Sequence, residues 1–135
     1  MAGYSGTPLP QKLGIKPGFK VAFFELPKDI KAILKPALSG CELAKDGARL
    51  DFAMIFVHSQ ADMKQRFPEF ARRLAPAGTL WVGWPKKTSG VATDLNENDV
   101  RRIGLGAGLV DVKVCAVSEV WSGLKFVIRL KDRKP

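Results

Sequence analysis

At 135 residues, 46% hydrophobic and 26% charged, the chain suits one globular domain that buries roughly two-thirds of its unfolded surface. No apolar run approaches the roughly 18 residues of a membrane-spanning helix, and the opening MAGYSGTPLPQK offers no apolar core for a secretion signal, so the expected location is the cytoplasm. The net charge of +9, from 22 Lys and Arg against 13 Asp and Glu, admits nucleic acid or another polyanion as a partner, but the basic residues are spread along the chain instead of sharing one element.

Residues 1–12, broken by glycine and proline, read as an extended arm. Val21 to Phe24 is a continuous apolar run after Pro17-Gly18 and predicts a strand buried on both faces. A helix follows over Pro27 to Leu38. Pro27 suits a first helical position, and Pro36 ends or bends the helix. Ile30, Ile33, Leu34 and Ala37 share one of its faces; Lys28, Lys31 and Lys35 share the other. Gly40 to Ala44 is a short strand.

Asp51 to Val57 (DFAMIFV) predicts a central strand. Ser59 is the expected N-cap of the next helix, whose core stripe is Met63, Phe67, Phe70, Ala71 and Leu74 and whose candidate break is Pro68. Pro76-Ala77-Gly78 turns the chain into a strand over Thr79 to Trp84. Lys86 to Leu95 is a polar loop, and Asn96 caps a helix to about Leu105. Val110 to Val117, a turn over Ser118 to Gly123, and Leu124 to Leu130 complete the pattern. In the last strand Leu124, Phe126, Ile128 and Leu130 alternate with Lys125, Val127 and Arg129, giving one wetter face. Cys41 and Cys115 lie far apart in apolar segments without metal-ligand spacing and read as reduced core residues. Strands alternating with helices and ending in a hairpin predict a three-layer α/β sandwich over residues 13–130, mostly parallel, with an antiparallel strand near one edge and a basic tail at 131–135.

Several segments carry a resemblance. Leu13-Gly14-Ile15-Lys16-Pro17-Gly18 followed by Lys20-Val21 is similar to the lead-in to the first strand of class I S-adenosylmethionine-dependent methyltransferases. Asp51 to Val57 resembles the strand before their catalytic loop. Arg73-Leu74-Ala75-Pro76-Ala77-Gly78-Thr79-Leu80 resembles their helix-to-strand turn, and Gly108-Leu109-Val110 with the hairpin resembles their terminal pair. The segments GYSGTPL, WPKKTSGVATDL and VCAVSEVWSGLKFV, starting at Gly3, Trp84 and Val114, also resemble a small bacterial family, a domain of unknown function. The resemblance implies a Rossmann-like, methyltransferase-like sheet with one strand-helix unit missing between Leu38 and Asp51. It departs from the methyltransferase pattern at the cofactor loop. The acidic residue of that pattern falls on Phe23, its first glycine falls on Glu25, and Pro27 starts the helix at once. Glu25 and Asp29 put carboxylates where an anionic ligand would meet the helix N-terminus. No cofactor is therefore expected, S-adenosylmethionine included, because the glycine-rich loop is absent. Asp46 is the remaining candidate for a ribose-holding acid. Gly104-Leu105-Gly106-Ala107-Gly108 imitates a dinucleotide motif, but it leads from helix to strand, the reverse of the required order, and reads as helix termination.

In this topology ligands bind beyond the carboxyl ends of the strands. That edge would gather Glu25 and Leu26, His58 and Ser59, Trp84 to Gly90, and the turn Ser118 to Gly123. His58 is the single histidine: a proton shuttle or a linker. Glu25 is a base or a helix-terminal charge. The loop Trp84, Lys86, Lys87, Thr88, Ser89 and Gly90 offers two lysines and two hydroxyls to a phosphate or carboxylate, or is a solvated loop. Trp121 stacks on a ring or covers the hairpin. No metal-ligand cluster is present in the pattern. The function expected is a non-catalytic or degenerate methyltransferase-like domain that binds a small anionic ligand or a protein partner. The alternatives are an active enzyme, either an atypical methyltransferase or other chemistry at His58, and a basic nucleic-acid-binding protein.

Overall fold

The computed structural model describes residues 6–133. Its sheet has six strands in the order β2-β1-β3-β4-β6-β5, formed by β1 (Lys20–Phe24), β2 (Glu42–Leu43), β3 (Leu50–Phe56), β4 (Leu74–Pro85), β5 (Leu109–Ala116) and β6 (Trp121–Ile128). The first four are parallel; β6 runs antiparallel to both β4 and β5. Helices α1 (Leu9–Leu13) and α2 (Lys28–Leu38) cover one face, and α3 (Gln60–Ala71) and α4 (Glu97–Gly106) the other.

The central strand β3 shows why the layers are three. Phe52, Met54 and Phe56 point to the α1–α2 side, where they join Leu13, Ile30 and Leu34. Ala53, Ile55 and Val57 point to the α3–α4 side, with Met63, Phe67 and Val100. An apolar residue at every position is what a strand needs when both faces are covered. Local capping works as the sequence leads one to expect: Ser59 accepts from the Asp62 N–H at 3.0 Å and Asn96 from the Asp99 N–H at 2.8 Å.

Between Leu38 and Leu50 the fold has the short strand β2, within the expected Gly40 to Ala44, and no helix. Residues 44–49 alone join β2 to β3. A parallel crossover ordinarily needs a dozen or more residues. The short link suffices because β2 pairs only with Lys20 and Val21, at the start of β1, and β3 begins at the same end of the sheet. Arg73 braces the link, donating to the Ala48 and Lys45 carbonyls at 3.1 and 2.8 Å.

Several expectations need correction. Residues 1–5 of the expected arm lie outside the described residues, but Leu9 to Lys12 are helical: Pro10 tolerates the first turn, where its missing N–H is not needed, and Gly14 closes the helix in the left-handed region (φ 85). The last two tail residues also lie outside; Leu130–Asp132 forms a 3-10 turn in which Leu130 is 80% exposed and not a strand residue. Pro68 does not split α3, because it removes one backbone donor while Met63 and Phe67 hold the helix to the core. Pro76-Ala77-Gly78 is not a turn before β4 but a bulge within it: two steps along β3, from Leu50 to Phe52, match five along β4, from Leu74 to Thr79. The hairpin turn is shorter than Ser118 to Gly123, since β6 already starts at Trp121. Ile33, expected on the core face of α2, is 51% exposed. Cys41 and Cys115 are free thiols but only half-buried, and Cys41 donates to the Lys16 and Ala37 carbonyls.

Candidate functional site

The carboxyl ends of β1, β3 and β4, with the start of β6, form one edge of the sheet. Phe24 pairs with Ile55, and Pro85 pairs with Trp121. Glu25 follows β1 directly. It is exposed, with φ 56, the one positive φ outside glycine among the described residues. A residue with a Cβ adopts this left-handed conformation at a cost of about 1–2 kcal/mol. The conformation is the one a glycine would take without strain, at the position where the sequence pattern calls for glycine. Asp29 lies in the first turn of α2, behind Pro27 at the N-cap.

His58, at the end of β3, is exposed. Its carbonyl accepts from the Thr93 hydroxyl at 2.6 Å. Its ring stands edge-on to Trp121, centroids 5.2 Å apart, and Phe56 meets the same indole at 5.1 Å. Space for this stack comes from Gly83: a Cβ there would sit 2.8 Å from the Phe56 ring. Trp121 itself is only 9% exposed and packs into the α1–α2 cluster. The neighbouring N-terminus of α3 is filled from within the chain. Asp94 takes the Gln60 N–H at 2.7 Å, so a carboxylate and the Ser59 cap already satisfy its first turn.

The loop after β4 forms a second feature. Trp84, Lys86, Lys87 and Thr88 line an open cavity of about 320 Å³, bounded also by Asn96 and Glu97 at the start of α4 and by Ser122 of β6. The Lys86 N–H holds the loop to the Val120 carbonyl at 2.7 Å. The Ser89 hydroxyl is used internally, donating to the Lys86 carbonyl at 2.6 Å and accepting from the Val91 N–H. Gly90 turns the chain with φ 78. Lys87 and Thr88 are exposed. Trp84 packs into the α3–α4 cluster and Trp121 into the α1–α2 cluster, so the sheet separates the two indoles.

Sequence reasoning did not single out Arg66. Its guanidinium carbon lies 4.6 Å from the centre of the Phe24 ring, beside the end of β1, with Asp62 and Glu69 at 3.9 and 3.7 Å. Nor did it find Asp94, whose role depends on a contact across more than thirty positions. Among the described residues no group of three or more His, Cys, Asp or Glu could hold a metal ion, and no helix is long and apolar enough to cross a membrane.

No protein-family model matches the chain, and no curated protein matches it. Solved structures do. The magnesium protoporphyrin IX methyltransferase of Synechocystis PCC 6803 with bound SAM is 11% identical, with a TM-score of 0.62 over 90% of this chain and 74% of that one. A SAM-dependent methyltransferase from Aquifex aeolicus is 15% identical, with a TM-score of 0.58 over 90% of this chain and 88% of its own. The fibrillarin pre-rRNA processing protein of Methanococcus jannaschii is 12% identical, with a TM-score of 0.55 over 93% and 70%. The chain therefore has a methyltransferase-like α/β fold, truncated relative to these neighbours.

Proposed function

We propose that this domain uses a methyltransferase-like fold for binding instead of methyl transfer, and that a small anionic ligand or a protein partner is received at the Trp84–Gly90 loop. Glu25 carries the reading. Its backbone keeps a left-handed turn after β1, but a carboxylate fills the position, and Asp29 adds another in the first turn of α2. Both repel the anionic groups that a helix N-terminus would otherwise attract. The loop after β4 has more cationic chemistry: the Glu97 carboxylate on the cavity wall is already paired with Arg101 at 2.7 Å. Lys86 and Lys87 bring two cations, and Thr88 a hydroxyl-bearing side chain, to one cavity; charge-assisted hydrogen bonds of this kind suit phosphate and carboxylate.

An amide NMR titration with S-adenosylhomocysteine, then with a panel of nucleotides, tests this. The expected result is saturable shifts at residues 86–90 from a nucleotide, lost in the Lys86→Ala, Lys87→Ala double variant. Retained binding in that variant removes the loop from the proposal.

A second reading, a cofactor-dependent enzyme, is favoured by two observations. Neighbours of this fold carry SAM or SAH, and His58 is exposed at the same sheet edge as Glu25. It predicts saturable shifts at Glu25 and His58 with S-adenosylhomocysteine. A methyl-transfer rate unchanged in His58→Ala would exclude that side chain from the chemistry.

A further inference from the structure

On the α1–α2 face, beside the outer flank of α2, runs an open groove of about 820 Å³. Its floor is apolar: Val21 and Phe23 of β1, Leu26, Leu38, and Leu43 of β2. Leu43 is 74% exposed. Among the described residues no helix covers this floor. β1 pairs with β3 from Val21 to Phe24, but with β2 only at Lys20 and Val21, so its outer edge is open beyond that point. The link from β2 to β3 is six residues, 44–49, and carries no helix. An apolar sheet face in an α/β sandwich is ordinarily covered by a helix.

The rim carries charge of one sign. Lys28, Lys31 and Lys35 line the groove along α2 at spacings of three and four, which places them on one flank of the helix. None of the three is in an ion pair among the described residues. The lined stretch of α2, from Lys28 to Leu38, is roughly 15 Å long at 1.5 Å per residue, the length of about three helical turns. Lysine stems add apolar wall while their ammonium groups reach past it. A second copy of this chain is a poor occupant, because each copy carries a net charge of +9 and would bring like charge to the same rim.

We infer that this groove is the docking site for an amphipathic helix of a partner protein, one whose apolar stripe is flanked by Asp or Glu. Such a helix lies beside α2 over β1 and β2 and adds the missing cover to this edge of the sheet. Its carboxylates meet Lys28, Lys31 and Lys35, and its apolar stripe covers Phe23, Leu26 and Leu43.

The test uses the full chain and two synthetic helices of roughly 15 residues, each with one leucine face, flanked by Glu in the first and by Lys in the second. The Glu helix is expected to give saturable amide shifts confined to residues 21–26, 28–39 and 43, with affinity about tenfold or more above the Lys helix. Reversing the rim with Lys28→Glu, Lys31→Glu and Lys35→Glu, all exposed positions, should invert that preference while leaving the urea midpoint near the parent value. Leu43→Asp should weaken the Glu helix about tenfold. No saturable binding, equal binding of the two helices, or shifts mapping elsewhere would overturn the inference. Concentration-dependent shifts of the same groove residues without any peptide would also overturn it, by making a second copy the occupant.

Discussion

The indole N–H of Trp81 donates to the backbone carbonyl of Leu13 across 2.9 Å, with both residues fully buried. This bond fastens the end of α1 to the middle of the sheet, and it provides the buried partner that a tryptophan N–H requires. Trp81→Phe keeps an aromatic ring but leaves the Leu13 carbonyl unpaired in an apolar site. A buried acceptor without a partner costs about 1–3 kcal/mol, and the smaller ring adds to that. The urea midpoint should fall accordingly with little change in m, and amide exchange should rise first in residues 9–15.

Gly104 and Gly106 separate packing from motif. A Cβ on Gly104 would overlap the Phe126 ring, whereas one on Gly106 meets nothing within 4 Å. Gly104→Ala should therefore destabilise by about 1–3 kcal/mol through overpacking. Gly106→Ala, exposed at the end of α4, should instead stabilise by up to about 1 kcal/mol by lowering the entropy of the unfolded chain. Thermal or urea unfolding of the two variants decides it.

Glu25→Gly tests the strained turn after β1. Relief of the left-handed conformation gains about 1–2 kcal/mol, and the added freedom of glycine in the unfolded chain takes back about 0.5–1 kcal/mol. The net expectation is a small rise in stability, under about 1.5 kcal/mol by that difference. A clear loss of stability would mean that the Glu25 side chain holds the turn.

Lys125 of β6 sets a pH dependence. Burial lowers its pKa, and Lys113 and Lys16 lower it further. In the unfolded chain the ammonium keeps its proton up to the ordinary value of 10.5. Between the lowered folded value and 10.5 the unfolded state binds more protons, so this residue makes stability rise with pH. Lys125→Met should be more stable than the parent at neutral pH, and its advantage should shrink through that window. Burial also pushes the Cys115 thiol above its ordinary 9.0, which makes stability fall with pH above that value. Comparing urea midpoints of the parent and Lys125→Met at each pH isolates the lysine, since the cysteine is common to both.

Much of the fold is legible in local pattern. The caps at Ser59 and Asn96 are chemical: a short side chain with an oxygen placed before an apolar stripe. The run Asp51 to Val57 could belong only to a strand covered on both sides, as β3 is. The errors fall where local rules compete with packing. Proline at position 68 signals a break, yet buried Met63 and Phe67 hold α3 together through it. Pro76-Ala77-Gly78 signals a turn, yet hydrogen bonding to β3 on both sides of it keeps β4 in one strand.

The sequence by itself determined the alternation of strands and helices and the parallel core with its closing hairpin, because each depends on periodicity, chain length or a nearby cap; the shortened passage from α2 to β3 was implied only by the methyltransferase resemblance. The candidate site is different in kind. Trp84 and Trp121 are both apolar and both near the same sheet edge in the chain order, but only the register Pro85 to Trp121 and the pleat of the strands put them on opposite faces. Tertiary structure alone decided that Asp94 fills the start of α3, that Ser89 is spent within its loop, and that α2 leaves a lysine-rimmed apolar groove at its flank. The first and last are a contact between distant segments and an exposure left by a missing one, which no local pattern encodes; the Ser89 bonds span only two and three residues, but the loop conformation that makes them is set by its anchoring to β6.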